Sequence, residues 1–373
     1  MRVLFAGGGT GGHIYPALSI AESIKNIDPG VEFLFVGTEH GLEASLIPHS
    51  GYALETIRLY GFQRRLSWRN FKNVFLLAGS ILAVQRILRK FQPDVVIGTG
   101  GYVCGPVLFR AALAGIPTLV QEQNAFPGVT NLILGRFVDV VAVGYAEAAA
   151  KFAGHRAKVL VTGNPVRHDL LEKDCAAARL HFGFKPGIST VLVTGGSQGA
   201  RSINQAAITL HRRFSGRPDI QLLHLTGESD YDEVNRVLTS EGLAVADPAQ
   251  GRLVLPYLHE MPLALAMTDL AISRAGAIGL AELTALGIPS ILVPYPYAAE
   301  NHQEINARAL EKKGAAIVIK DSELTGDLLF EKLNDLLADQ GRLRQMSAAA
   351  AGMGCRNAAD EVAALAMELA ARR

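Results

Sequence analysis

Residues Arg2–Ile24 read "RVLFAGGGTGGHIYPALSIAESI": a short apolar run, five glycines and a histidine, then an amphipathic helical pattern. A strand, a glycine-rich turn and a helix in that order open a Rossmann-type βα unit. Gly7-x-Gly9-x-x-Gly12 has the dinucleotide spacing. Bare backbone there lets amides approach an anion, and the helix N-terminus adds partial positive charge. A nicotinamide dinucleotide would also want an acid at the end of the second strand. That strand ends "FVGTE", with Gly37 at its end and Glu39 two residues on, so the fit is poor. His13 falls in the first helical turn, where the dipole favours the neutral imidazole, a form able to take a proton from a hydroxyl. The alternative is a histidine that caps or packs at a helix start.

The pattern repeats along the chain. "VEFLFVG", "PDVVIGTG", "IPTLVQEQ", "DVVAVG" and "AKVLVTGN" follow the first run. A second series then starts with "STVLVTGG" and continues through "IQLLHLTG", "RLVLPYL", "DLAISRAG", "PSILVPYP" and "AAIVIK". Continuous apolar strands alternating with helices imply parallel sheets covered on both faces. The chain is therefore α/β, with two Rossmann-like doubly wound domains of about six strands each. Asn164-Pro165 marks the boundary, giving domains of residues 1–164 and 165–345. The helical stretch from about residue 346 to residue 373 is expected to pack back on the first domain.

Of the 373 residues 49% are hydrophobic and 19% charged, and the formal net charge is +1, which speaks against a nucleic-acid partner. The longest apolar run, "VFLLAGSILAV", is shorter than the roughly 20 residues a membrane span needs. Met1-Arg2 leads straight into a strand with no secretory hydrophobic region, and three scattered cysteines suggest neither disulfides nor zinc. A reduced, cytoplasmic protein is the simplest expectation. Charge is unevenly shared. Up to Asn164 there are 15 Lys and Arg against 10 Asp and Glu, and beyond it 21 against 25. Between Glu55 and Asp94 lie eight basic residues and no acid, interleaved with Tyr60, Phe62, Trp68, Phe71, Phe75 and Phe91.

The second loop, "TGGSQGAR", lacks the dinucleotide and P-loop spacings, yet it can offer amides and the Ser197 hydroxyl to a phosphate. Glu282 sits in the apolar helical stretch "IGLAELTALGI" and would be matched by vicinal ribose hydroxyls, or else face solvent. "AAENHQEINA" follows a strand, making Asn301, His302, Gln303 and Asn306 sugar-hydroxyl candidates. Asp230-Tyr231-Asp232 could pass for a metal-binding DxD, but Ser229 or Asp230 reads as a helix N-cap followed by first-turn acids.

Seven motifs, in order "GGGTGGHIYPALSIAESI", "GTGGYVCGP", "QEQNAFPGVTN", "GNPVR", "TGGSQGARSIN", "SRAGAIGLAEL" and "NHQEINA", resemble the MurG family of bacterial glycosyltransferases. The resemblance covers nearly the whole chain. It implies a GT-B fold and inverting transfer of GlcNAc from UDP-GlcNAc to undecaprenyl-diphosphate-MurNAc-pentapeptide, lipid I to lipid II, in peptidoglycan synthesis. It implies no cofactor and no DxD-held metal. Residues 1–164 would bind acceptor and membrane, and residues 165–345 would bind UDP-GlcNAc. Thr10, Gly11 and Gly12 would lie against GlcNAc, with His13 beside the acceptor as candidate base. Asn124 would contact the donor sugar, and Arg167 and Ser197 would serve the diphosphate. The Leu258 backbone would meet uracil. Ala277, Ile278, Gly279, Leu280, Ala281 and Glu282 would wrap ribose and phosphate, with Glu282 on the ribose hydroxyls, and Gln303 would hold sugar hydroxyls. Many members read "HEQN" where this chain has Gln121-Glu122-Gln123-Asn124, which leaves His13 and Glu122 as the proton-handling candidates. The basic, aromatic segment 58–91 would seat the enzyme peripherally on the anionic cytoplasmic face of the plasma membrane, with other cell-wall synthesis proteins among the partners to expect. Rival readings are another GT-B lipid glycosyltransferase, a UDP-GlcNAc 2-epimerase, a non-catalytic nucleotide-sugar-binding membrane-docking protein, and an NAD-dependent oxidoreductase.

Overall fold

A computed structural model describes residues 1–59, 68–243 and 245–372, with the side chains of 68–78 outside the described set. The chain divides into two compact units, Met1–Arg167 with Cys355–Arg373, and His168–Gly354.

The first unit holds seven strands: β1 (Arg2–Gly7), β2 (Glu32–Gly37), β3 (Ala53–Thr56), β4 (Val95–Gly100), β5 (Thr118–Glu122), β6 (Val140–Val143) and β7 (Lys158–Val161). All pairs are parallel, in the order β3-β2-β1-β4-β5-β6-β7. Strand β1 shows why these runs are continuously apolar. Val3 and Phe5 pack with Ile14, Ala17, Ile20 and Ile24 of helix Gly11–Ile27. Leu4 and Ala6 face the other way, toward Val84, Leu88, Val107 and Leu108. Both faces are dry, so alternation of polar and apolar residues would bury unpaired groups. Edge strand β3, "ALET", is half-exposed and less apolar, and the apolar-run pattern misses it.

The second unit holds β8 (Ser189–Thr194), β9 (Ile220–Leu225), β10 (Ala246–Asp247), β11 (Arg252–Leu255), β12 (Leu270–Ser273), β13 (Ser290–Leu292) and β14 (Ala316–Val318). Their order is β10-β11-β9-β8-β12-β13-β14, parallel apart from the two-residue β10. In each sheet the order reverses once, between β1 and β4 and between β8 and β12. Such a reversal is the usual ligand position in sheets of this kind.

The chain changes units later than the punctuation at Asn164-Pro165 implies. Val166 is buried and Arg167 lies over the Tyr15 ring, 5.1 Å from its centroid, so both stay with the first unit. The return also comes later than residue 346. Helix Gln340–Ala351 keeps Met346 in the second core, and Ser347 Oγ donates to the Gly287 carbonyl at 2.7 Å. Helix Ala358–Ala370 belongs to the first unit, where Val362, Ala363 and Ala366 close over helix Gly11–Ile27.

Within the second unit a polar chain runs through the core. His211 Nε2–H donates to His224 Nδ1 at 3.3 Å, and His224 Nε2–H donates to Asn204 Oδ1 at 3.1 Å. Asn204 Nδ2 in turn donates to the Thr226 carbonyl and to Asp230, both at 2.8 Å. The carboxamide oxygen can only accept, so His224 Nε2 carries hydrogen; a neutral His224 then has its lone pair on Nδ1 and accepts from His211. Burial holds His224 down to about 4. Burial, then His224 and Arg252, hold His211 well below the ordinary histidine range.

A depressed folded-state pKa means the unfolded chain takes up protons first, so this stability is intact above about pH 6.5 and is lost as pH falls toward about 4. The melting temperature should therefore drop between pH 7 and pH 5. His211→Gln keeps a donor for His224 while removing one titrating ring, and should make that drop shallower. An unchanged slope in the variant would place the titration elsewhere.

Candidate active site

The loop between β1 and helix Gly11–Ile27 is held from beneath. Thr10, at the N-cap, uses its carbonyl for the His13 and Ile14 amides, and its side chain does not cap. Residues 9 and 10 are exposed, and the first turn carries no acid. Gly11 and Gly12 thus begin a 17-residue helix whose first amides are offered to an anion. The loop after β4 crosses directly under it. Gly101 has φ +82°, and a Cβ there would lie 2.6 Å from the Gly8 carbonyl oxygen, so no side chain fits between the two backbones.

His13 Nδ1 lies 2.9 Å from the Gly8 carbonyl oxygen. A carbonyl only accepts, so Nδ1 carries hydrogen and the lone pair of the neutral ring is on Nε2. Gly100 passes against the same ring, close enough that a Cβ would meet Cδ2 at 2.7 Å and Nε2 at 3.0 Å. The tautomer that general-base work needs is set by backbone geometry. Arg167 and Tyr15 stack at this same end of the helix, with Tyr15 also against Gly11.

Glu122, at the end of β5, is buried and its carboxylate is taken up by the following loop. Oε1 accepts from the Asn124 amide at 2.9 Å and from its Nδ2 at 3.2 Å. Oε2 accepts from the Gly128 amide at 3.0 Å and from Asn131 Nδ2 at 2.8 Å. Four donors on two oxygens make it an anchor that orients Asn124. Gln121 is 0% exposed. It donates to Asn164 Oδ1 at 3.0 Å and accepts from Gln123, which also donates to the Thr99 carbonyl at 2.7 Å. That side chain is structural, tying β4, β5 and the Asn164 turn.

The first unit thus brings Thr10, Gly11, Gly12, His13, Glu122, Asn124 and Arg167 to the carboxyl edge of its sheet. Sequence reasoning missed Glu43. It lies under the glycine loop and accepts from Gly9 N, Thr38 N and Thr38 Oγ1. The signal was present as the second of two acids in "GTEHGLEAS", but Glu39 was the acid weighed there, and it pairs on the surface with Arg58.

In the second unit Ser197 is exposed on the loop between β8 and helix Arg201–Arg213. Gly199, at φ +74°, has room only for hydrogen against the Thr226 carbonyl, which Asn204 holds in place. Leu258 is half-buried in the loop after β11. Helix Ala277–Leu286 starts after Gly276 with no side-chain cap and no first-turn acid. Ala277, Ile278 and Leu280 point into the core, so at this helix start they can serve a ligand only through backbone, while Gly279 is exposed and Ala281 and Glu282 are half-exposed. Gln303 Oε1 accepts from the Ala275 amide at 3.2 Å and the Tyr295 amide at 2.9 Å. Its oxygen is committed to two loops, and its NH₂ is what it can turn to a sugar hydroxyl. Asn306 is fully buried, which removes it from the sugar candidates. His302 Nδ1 donates to the Ala299 carbonyl, and Asn301 donates to Glu304. Arg274, not singled out in the sequence, bonds the Val293 and Pro294 carbonyls, Ser202 Oγ and Asp321, and so pins the ends of β12 and β13.

Asp230 occupies the N-cap position of helix Tyr231–Ser240 but does not cap it, because its carboxylate accepts from Asn204. Asp232 is a first-turn acid. Among the described residues, no group of three or more His, Cys, Asp or Glu could hold a metal ion. Of the basic, aromatic segment, Tyr60 and Phe62 lie outside the described residues, as do the side chains of Trp68, Phe71 and Phe75. Beyond them, Leu82 is 63% exposed on helix Trp68–Phe91 and Leu113 is 61% exposed nearby in the chain's next helix, Cys104–Leu113.

The glycosyltransferase family 28 N-terminal domain matches residues 3–143, and the family's C-terminal domain matches residues 190–362. The chain is 46% identical over 355 residues to the UDP-N-acetylglucosamine–N-acetylmuramyl-(pentapeptide) pyrophosphoryl-undecaprenol N-acetylglucosamine transferase of Moorella thermoacetica, covering 95% of each. It is 46% identical over 372 residues to the protein of that name from Desulforudis audaxviator, covering 100% of this chain and 99% of the other. The crystal structure of Acinetobacter baumannii MurG superposes with a TM-score of 0.73 at 27% identity, covering 98% of this chain and 99% of that one. A Neisseria meningitidis UDP-GlcNAc 2-epimerase shares the fold, with a TM-score of 0.69 over the whole of both chains, but only 13% of the sequence. The chain belongs to glycosyltransferase family 28, as a hexosyltransferase of GT-B fold in the MurG family.

Proposed function

We propose that this enzyme moves GlcNAc from UDP-GlcNAc to the 4-hydroxyl of undecaprenyl-diphosphate-linked MurNAc-pentapeptide, with inversion at the anomeric carbon. The observation that carries the mechanism is His13, whose Nδ1–H is fixed on the Gly8 carbonyl so that its lone pair is on Nε2. The acceptor hydroxyl gives its proton to Nε2 as its oxygen bonds the anomeric carbon. The bond from that carbon to the UDP oxygen breaks, and its electron pair leaves with UDP. An attack from the face opposite the leaving group inverts the centre.

The charge that develops on UDP meets fixed donors. This reading gives the diphosphate Ser197 and the first amides of helix Ala277–Leu286, with Arg167 as a further candidate. Preorganised dipoles need no rearrangement as charge develops, so this reading assigns no step to a metal. Glu282 takes the ribose hydroxyls and the Leu258 backbone takes uracil. The Gln303 NH₂ and Asn124 hold the sugar, while Thr10, Gly11 and Gly12 form its floor. Glu122 is a positioning residue for Asn124.

The acceptor carries a lipid that stays in the bilayer, and no described helix is long and apolar enough to cross a membrane. Peripheral binding to the cytoplasmic face follows from this reading. Basic segment 58–91, with Leu82 exposed within it and Leu113 exposed on the next helix, suits an anionic surface, where each Lys or Arg adds about 1 kcal/mol.

Labelled GlcNAc should pass from UDP-GlcNAc to a short-chain lipid I analogue in step with UDP release. His13→Gln should lower kcat by about a hundredfold with the KM for UDP-GlcNAc little changed, and should remove the acid limb of the pH profile. Near-normal turnover in a folded variant would end the base assignment. Glu282→Ala should raise the KM for UDP-GlcNAc by roughly tenfold, the loss of a charged hydrogen-bonding group. An unchanged KM there would remove Glu282 from the ribose. In flotation, the protein should rise with anionic vesicles and be released by salt, while neutral vesicles retain little of it. Equal binding to both would count against an electrostatic surface.

A further inference from the structure

The Gly8–Gly9 peptide group is bonded at both ends. Its carbonyl oxygen accepts from His13 Nδ1 at 2.9 Å, and its N–H, on Gly9, donates to Glu43 Oε2 at 2.7 Å. Glu43 is 1% exposed and stands on the neighbouring β2 connection, 30 residues further along the chain from His13. Its other oxygen accepts from Thr38 N at 2.9 Å and Thr38 Oγ1 at 2.7 Å. Cβ atoms at Gly8 or Gly41 would run into this carboxylate, so both backbones are drawn in around it.

We infer that Glu43 is a positioning residue for His13, acting through the Gly8–Gly9 peptide group. A carboxylate pulling on the peptide N–H polarises the amide and makes its carbonyl a better acceptor, as hydrogen bonds in a chain strengthen one another. The better acceptor holds Nδ1–H, keeps the lone pair on Nε2 and stabilises the imidazolium once Nε2 has taken the acceptor proton. This is the part a third residue plays behind a nucleophile and its base, carried here by one peptide unit. Burial would raise the Glu43 carboxyl, but the hydrogen bonds from Gly9 and Thr38 outweigh it and hold the group below the ordinary carboxylate range. The charge is therefore present whenever the enzyme works near neutrality.

The inference rests on His13 being the base, and the experiment separates the two. Steady-state transfer by the full-length protein is measured for wild type, Glu43→Gln, His13→Gln and the double variant, with UDP-GlcNAc and the lipid I analogue. Glu43→Gln places an NH₂ where an acceptor is required and should lower kcat by about tenfold or more, leaving the KM for UDP-GlcNAc within about twofold. The acid limb of its pH profile should move to lower pH, because the imidazolium loses support. In the His13→Gln background the same change should have less than about a twofold effect, since residues acting as a unit are non-additive.

Wild-type kcat in Glu43→Gln, an equal drop in both backgrounds, or an unmoved acid limb each overturns this inference alone. Wild-type turnover in His13→Gln overturns the base reading and this inference with it. Should Glu43→Gln fail to fold, Thr38→Val carries the test. It removes one hydroxyl donor from the carboxylate at a half-exposed position and should lower kcat by about threefold with the donor KM unchanged. An unchanged kcat in that folded variant overturns the inference too.

Discussion

The first unit depends on how closely two backbones approach where its sheet reverses order. β1 and β4 are neighbours, and their loops leave the sheet in opposite directions. At that point the Gly101 backbone touches the Gly8 carbonyl and Gly100 touches the His13 ring, with no side chain between them. Everything above this contact inherits its position. The turn sets where helix Gly11–Ile27 begins, the helix sets where its first amides point, and the Gly8 carbonyl sets the ring that follows. Helix Gly11–Ile27 cannot drift, because its apolar face is shared between β1 and helix Ala358–Ala370. The far end of the chain therefore steadies the near end.

The two buried acids beside the site do similar work. Glu43 and Glu122 each lie at or just past the carboxyl end of a strand, and each is saturated by donors from the loops above it. An unpaired buried carboxylate would be costly, whereas one that organises three or four donors offsets that cost and orders a loop in return. Negative charge is kept below the loops, and the surface offered to a ligand presents amides, an imidazole and a guanidinium. An anionic ligand is suited by that arrangement.

The strands could be read from sequence because parallel strands buried on both faces are simple apolar runs. β3 and β10 escaped because an edge strand of four residues and one of two bury too little to leave that pattern. The glycine loops and His13 were legible for the same local reason: strand, turn and helix start lie within a dozen residues. What local pattern does not carry is the direction in which a side chain spends its hydrogen bonds. Gln121 turns inward to Asn164, Gln303 gives its oxygen to two loop amides, and Glu122 gives both oxygens to its own loop. Each partner comes from the fold. The late return of the chain near Cys355 was hidden likewise, since helices Gln340–Ala351 and Ala358–Ala370 are both alanine-rich and only packing assigns them to different cores.

A histidine base is commonly oriented by a carboxylate bonded directly to it; on the proposed mechanism the group on Nδ1 of His13 is instead a neutral carbonyl. Charge explains the choice. Two unit charges 4 Å apart interact by about 4 kcal/mol at an effective dielectric near 20, and the ligands of this site carry several negative charges. A carboxylate on the imidazole itself would support the imidazolium but repel the diphosphates that must bind first. Moving that carboxylate one peptide unit back, to Glu43, keeps part of the support, because the amide transmits polarisation while its charge lies under the loop with its own donors. On that reading the bare glycines are required twice, once to let a diphosphate reach the amides from above and once to let a carboxylate reach them from below.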